Sequence, residues 1–284
     1  MKKVAVVTDV VDPGFYFSTW HKYYGELFGE QNLFVICYSN STGELGDYKL
    51  GGTTTLPCVY NDTVRAKFIS SYCAALLEFY DFVIRVDVDE FLVADPRLYP
   101  NLTVYMENLR RPYVTAIGLD IIQSRDEAPL DLASKIIIHQ RQYAYPNSSL
   151  NKTCIASVPT RWLEGFHFCN FFPKFNDLYL LHLKRADTAQ QIAWAMKMSQ
   201  AAPGDKFIAD YYSAESAPIF QYRDDVFARS VFCGWDGIMR NSFRDKFVAA
   251  VNPWKMNDGT VIYSGNHFHD DILVVLPQEF KGAL

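Results

Sequence analysis

Two aspartates separated by one residue, Asp87-Val88-Asp89, follow the apolar run Phe82-Val83-Ile84-Arg85-Val86 and precede Glu90-Phe91-Leu92. At the end of a strand, carboxylates at this spacing can both turn toward a cation held in the adjoining loop. Hard oxygen ligands suit Mg2+ or Mn2+, which take a few carboxylates and leave positions open for phosphate oxygens. Such an ion acts as a Lewis acid on charge developing at a departing diphosphate. An acidic turn with solvated carboxylates is the alternative. Cations that could meet phosphate lie elsewhere in the chain. Arg65 and Lys67 stand at the start of an expected helix, where their charge opposes the helix dipole and points to an anion nearby. Lys184 and Arg185 form a second candidate phosphate clamp.

The elements that must position these groups follow from periodicity. The β-branched run at 4–8 predicts a buried strand ending in the acidic and Pro-Gly loop Asp9-Val10-Val11-Asp12-Pro13-Gly14. Helical spacing over 17–28 is closed by Gly29. A second strand is expected at 33–38, a brief one at 56–60, a strong helix over 63–80, and a strand at 82–86 that delivers the aspartate pair. Further strands are expected at 113–122, 134–139 and 178–183. Asp187 and Gln190 have the spacing of a capping box for a helix that follows. The stretch 221–247 reads as helical, and 261–276 as strand and loop of undetermined placement. This alternation predicts an α/β fold with a mostly parallel sheet flanked by helices. Ligands of such sheets bind outside the carboxyl ends of the strands. The loops containing Thr8, Asp9, Ser39, Arg65 and Asp87 should therefore converge there as the nucleotide-binding edge.

Composition narrows the class. A chain of 284 residues, 49% of them hydrophobic, can bury a sizeable core. The net charge of -5 argues against a general nucleic-acid binder. None of the six cysteines forms a C-x-x-C pair, so a structural zinc site is not expected and reduced, buried thiols are. The apolar run after Met1-Lys2-Lys3 is broken by Thr8, Asp9 and Asp12, unlike a secretion signal, and no run approaches a membrane span. A cytoplasmic location without an integral membrane segment is the expectation. Asn40, Asn61, Asn101, Asn147 and Asn151 begin N-x-S/T sequons, which are then incidental.

At this point the sequence resembles a known group. Asp87-Val88-Asp89-Glu90-Phe91 resembles the D-x-D-E-F signature of GT-A-fold glycosyltransferases of the family 2-like and family 92-like type. Lys152-Thr153, Gly165-Phe166-His167 and Leu180-Leu181-His182-Leu183-Lys184 are similar, in the same order, to the K…G-x-H…H pattern of these enzymes. The resemblance spans roughly residues 4 to 200. It departs from the group in the first loop, which lacks an R-N-E-type sequence, and at 120–149, which has no recognised counterpart.

The resemblance implies a GT-A fold, a Rossmann-like, mostly parallel mixed sheet. It also implies a nucleotide-sugar donor, Mn2+ or Mg2+, and inversion at the anomeric carbon. In its terms Asp89 binds the metal, Asp87 meets the ribose or the metal, and His182 is the third ligand, a neutral imidazole suiting Mn2+. His167 is a competing ligand, or lines a saccharide acceptor site with Phe166. Glu164 and Asp120 are the candidate general bases for the attacking hydroxyl. One catalytic domain is expected over 1–284: a nucleotide-sugar half at 1–100, an acceptor and metal half at 101–185, and a mainly helical extension at 186–284. Two rivals remain: a nucleotidyltransferase acting on sugar phosphates, disfavoured by the acidic first loop, and a non-catalytic carbohydrate-binding protein on a degenerate transferase fold.

Overall fold

A computed structural model describes residues 2–39, 45–131, 137–201, 216–235, 243–265, 267–268 and 271–281. The chain is an α/β protein built on a mixed central sheet flanked by helices, parallel around the first strand and mostly antiparallel beyond the fourth. Strand β1 (Val4–Val10) lies between β2 (Leu33–Tyr38) and β4 (Phe82–Arg85), and β3 (Gly52–Leu56) pairs the outer edge of β2. All three pairings are parallel. Helices α1 (Phe17–Phe28) and α2 (Asp62–Leu76) cover opposite faces.

Beyond β4 the sheet turns antiparallel through β8 (Thr153–Ala156), which joins β6 (Tyr113–Ile122). Strand β6 continues antiparallel to β7 (Tyr143–Pro146) and runs parallel to β9 (Phe175–His182). Strand β5 (Glu90–Ala94) pairs antiparallel with β9. Helices α3 (Leu102–Asn108) and α4 (Thr188–Ala201) follow β5 and β9 in the chain.

Side-chain alternation on β1 explains how the sheet sorts its residues. Val4, Val6 and Val10 enter the core beneath Phe17, Trp20 and Tyr24 of α1. Ala5 and Val7 enter the core beneath Ala66, Ile69 and Cys73 of α2. Asp9 has the parity of Val7 and so faces α2. On β4, Phe82 and Ile84 pack on the α1 side and Val83 on the α2 side, which turns Arg85 toward α2 as well.

Helix α1, β1 and β2 fall where periodicity puts them. The helix expected over 63–80 begins at Asp62, capped by Asn61, whose side chain accepts from the Val64 N–H at 3.0 Å. It ends at Leu76, where i→i+3 bonds tighten the chain before β4. The brief strand expected at 56–60 is β3 at Gly52–Leu56 instead. Of the strand expected at 134–139, residues 134–136 lie outside the described residues, and Ile137–Gln140 is a 3-10 turn.

Within 221–247 the described residues form helix α5 (Ser216–Arg229), strand β10 (Val231–Cys233) and helix α6 (Phe243–Ala250). Strand β10 pairs with β13 (Ile272–Val275), and β13 pairs with β7. The C-terminal third is thus more than a helical extension, because two of its strands lengthen the central sheet. It also carries the hairpin β11 (Val251–Lys255) and β12 (Val261–Gly265), and the short helix α7 (Gln278–Lys281).

Four of the sequon asparagines have structural tasks. Asn61 and Asn101 cap helices, Asn147 donates to Asp120, and Asn151 accepts from the Gly118 N–H. The six cysteines are free thiols. Among the described residues, no helix is long and apolar enough to cross a membrane.

Candidate functional site

The aspartate pair sits where β4 gives way to β5, and its two carboxylates meet different surroundings. Glu90 closes the turn by accepting the Asp87 N–H at 3.0 Å, while the Asp87 carbonyl accepts from the Glu90 N–H. Asp87 shares the α2-side parity of Arg85. Arg85 Nη2 donates to Asp87 Oδ1 and to Asp9 Oδ1, both at 2.7 Å. Arg65 grips Asp9 in a bidentate pair at 2.7 and 3.0 Å and also donates to Asp87. Lys152 completes the set, 2.6 Å from Glu90 Oε1 and 3.1 Å from Asp87 Oδ2. Burial alone would raise the Asp87 carboxyl, but Arg85, Lys152 and Arg65 together hold it well below the usual carboxylate range. Three cations thus balance Asp9, Asp87 and Glu90, and Asp62 adds a fourth carboxylate at 3.0 Å from Arg65 Nη1.

Phe166 lies beneath this cluster. Its ring is 3.6 Å from the Arg85 guanidinium carbon and 4.6 Å from that of Arg65. The residue is buried and held at φ 59°, directly after Gly165 at φ 68°. A non-glycine residue in this left-handed region is strained, and the two guanidiniums hold it there.

Asp89 faces the other way. Its Oδ2 is 3.4 Å from His182 Nε2, and His182 Nδ1 is 2.6 Å from Asp120 Oδ1. Strand register produces this array, since His182 pairs with Glu90 on β5 and with Asp120 on β6. The Leu183 N–H donates to the Asp89 carbonyl and ties the turn to the end of β9. Asp120 is buried, and its second oxygen accepts from Asn147 at 2.8 Å. Burial would push the His182 ring down, but Asp89 and Asp120 raise it to about 10. Among the described residues, no three or more His, Cys, Asp or Glu side chains are gathered as a ready metal cage. Asp89 and His182 are a pair whose remaining coordination would have to come from elsewhere.

Beside Asp89 opens a cleft that faces solvent. The loop Asp12–Tyr16 and helix α4 form its walls, with Val88, Lys184 and Trp194 among the lining. Lys184 Nζ stands 5.0 Å from the Trp194 ring centroid. Lys197 bridges the mouth to Asp12 at 2.7 Å. Asp187 caps α4, accepting the Gln190 N–H at 3.0 Å, as its spacing in the sequence predicts.

These positions divide the expected site residues. Asp89 and Lys184 line the cleft, and His182 stands next to Asp89, 3.4 Å from its carboxylate. Asp87, Asp9 and Arg65 are instead bound to one another, so their charges are already compensated. Thr8 is fully buried, on the α1 side of β1. Lys67 is exposed, two residues beyond the sequestered Arg65. Ser39 is exposed at the end of β2, and residues 40–44 of its loop lie outside the described residues. Arg185 turns from the cleft toward Asp120 and stacks 3.7 Å from the Tyr222 ring. Phe166 is buried under guanidiniums and displays no face for sugar stacking. Asp120 has both oxygens engaged, one by His182 Nδ1 and the other by Asn147. Glu164 is exposed and accepts a bond from Thr63 Oγ1 at 2.8 Å.

Arg85 was given no role by sequence reasoning. Its signal was a charged residue inside the apolar run of β4, which must find acidic partners once buried. Trp194 gave no comparable signal. No protein-family model matches the chain, and no curated protein matches it.

Proposed function

We propose that this chain is a GT-A-type, metal-dependent glycosyltransferase that moves a sugar from a nucleotide-sugar to a hydroxyl of a saccharide acceptor. The observation that carries this is Asp89, which lines the cleft and pairs with His182, whose Nδ1 is bound to buried Asp120. A carboxylate that fixes one ring nitrogen and aims the other at a second ligand is the outer-shell support metal-binding histidines use. One carboxylate and one imidazole suit Mn2+ bound partly through substrate phosphate oxygens, and the carboxylate with those oxygens suits Mg2+. Such an ion, when bound, neutralises charge on the departing nucleoside diphosphate.

The chain's own residues supply the rest. Lys184 and Trp194 line the cleft that would receive the donor. The Asp9–Arg65–Arg85–Asp87–Lys152–Glu90 cluster holds the turn rigid, so that Asp89 is presented in one geometry. Transfer with inversion needs a base for the acceptor hydroxyl, and exposed Glu164 is the carboxylate assigned to it.

Nucleoside diphosphates (UDP, GDP, ADP, CDP and TDP) with Mn2+ or Mg2+ test the proposal by thermal shift. At least one should stabilise the protein only when metal is present, and Asp89→Ala and His182→Ala should each abolish that shift. Absence of a metal-dependent shift with all five nucleotides would refute the donor site. For Glu164→Gln, lost turnover with preserved donor binding is expected; an active variant removes Glu164 as the base.

A further inference from the structure

Beside the ion cluster, on the Gly165–His167 side, lies a group of rings around His167, the residue that the resemblance offers as a competing ligand or for an acceptor site. His167 Nδ1 is 2.5 Å from the Ser149 carbonyl oxygen. That oxygen can only accept, so Nδ1 carries the proton and the neutral ring offers Nε2 as an acceptor. The strained pair Gly165–Phe166, pinned beneath Arg65 and Arg85, delivers His167 to this position. His167 is also close enough to Lys152 and Asp87 for both to bias its protonation.

The second imidazole comes from the far end of the chain. His267 stacks on Phe168, with ring centroids 5.4 Å apart at 15°, and meets His167 edge to face at 5.3 Å. Two bonds hold its segment in place: the Phe268 N–H donates to Ser148 Oγ at 2.7 Å, and the Ser148 N–H to the Phe268 carbonyl at 3.4 Å. The same short turn contains Asn147, which holds Asp120, and Ser149, which holds His167. One three-residue turn therefore anchors the His182 support, the His167 ring and the His267 segment. His267 is exposed, with Phe168 and His167 against its ring.

We propose that His167, Phe168 and His267 form the subsite for the saccharide acceptor, and that the C-terminal segment thereby contributes to acceptor selection. This rests on the glycosyltransferase reading of the Asp89–His182 site. His167 Nε2 accepts a hydrogen bond from a sugar hydroxyl. The exposed ring of His267, backed by Phe168, packs against the apolar C–H face of a pyranose ring. A lone-pair acceptor beside stacked rings favours an uncharged, hydroxyl-bearing ligand.

Saturation-transfer NMR with methyl glycopyranosides of the gluco, galacto, manno, xylo and fuco series, in Mg2+ and a nucleoside diphosphate, tests this. At least one glycoside should receive saturation from the wild-type protein. His267→Ala should weaken that signal by about fivefold, the weight of one ring contact, whereas His267→Phe, which keeps a stacked ring, should retain most of it. His167→Ala should weaken it as well. The metal-dependent nucleotide shift of the His267 variants should match wild type. No saturation of any glycoside, or equal signals in wild type and His267→Ala, overturns the subsite. Loss of the nucleotide shift in the wild type would instead overturn the donor reading, so the two failures are distinguishable.

Discussion

Asp87 and Asp89 are two residues apart, yet the turn between β4 and β5 breaks the strand alternation and gives them different work. Asp87 is a counter-ion for Arg65, Arg85 and Lys152, whereas Asp89 meets only His182 among the described ionic partners. Removing one member of a buried ion cluster leaves the others uncompensated. Asp87→Ala should therefore destabilise the protein by on the order of 3 kcal/mol in urea unfolding. Asp89→Asn, which leaves His182 its bond to Asp120, should cost no more than about 1 kcal/mol yet abolish the metal-dependent nucleotide shift. Equal loss of stability in the two variants would contradict this division of labour.

At the scale of elements, the site depends on how closely β6 approaches the turn after β7. A Cβ added to Gly118 would lie 2.2 Å from Leu150 Cβ and 2.4 Å from the Leu150 carbonyl carbon. Gly118→Ala must push back the turn containing Asn147, Ser148 and Ser149. A loss of about 2 kcal/mol is expected from urea unfolding, together with weaker metal-dependent nucleotide binding, because Asn147 supports Asp120. Unchanged stability would mean that the turn yields freely. The sequence foretold α1, β1 and β2 well, because apolar periodicity there reflects burial on a parallel sheet. It also made the Asp89–His182 pairing legible through motif order. It did not reveal that Asp120 is the outer partner of His182, since that follows from the β6–β9 register, a non-local fact. Strand β10 escaped for the same reason: it is defined by pairing with β13, some forty residues later in the chain. Phe166 was misjudged because nothing local announces that two guanidiniums cover its ring.

At the scale of the whole molecule, two histidines of the site pull the pH dependence of stability in opposite directions. Burial, with Lys152 and His267 nearby, pushes the His167 ring down to about 3. An unfolded histidine titrates near about 6.5. Between these values the unfolded chain binds more protons, so this contribution is complete above about 6.5 and is lost as pH falls toward 3. His182 behaves inversely. Burial opposes its charge, yet Asp89 and Asp120 raise it to about 10, so the folded state holds the extra proton above about 6.5. That contribution is complete below about 6.5 and is lost as pH rises toward 10. Buried thiols such as Cys73, pushed up to about 12 by burial, add to the alkaline loss only above about 8.5. The interval from about 6.5 to about 8.5 therefore isolates His182. In EDTA, unfolding free energy should fall across that interval by on the order of 2 kcal/mol. His182→Gln should flatten the slope. Saturating Mn2+ with a nucleoside diphosphate should reverse it, because binding a metal to the ring displaces its proton and so strengthens with pH. A wild-type slope that survives in His182→Gln would place the titrating group elsewhere.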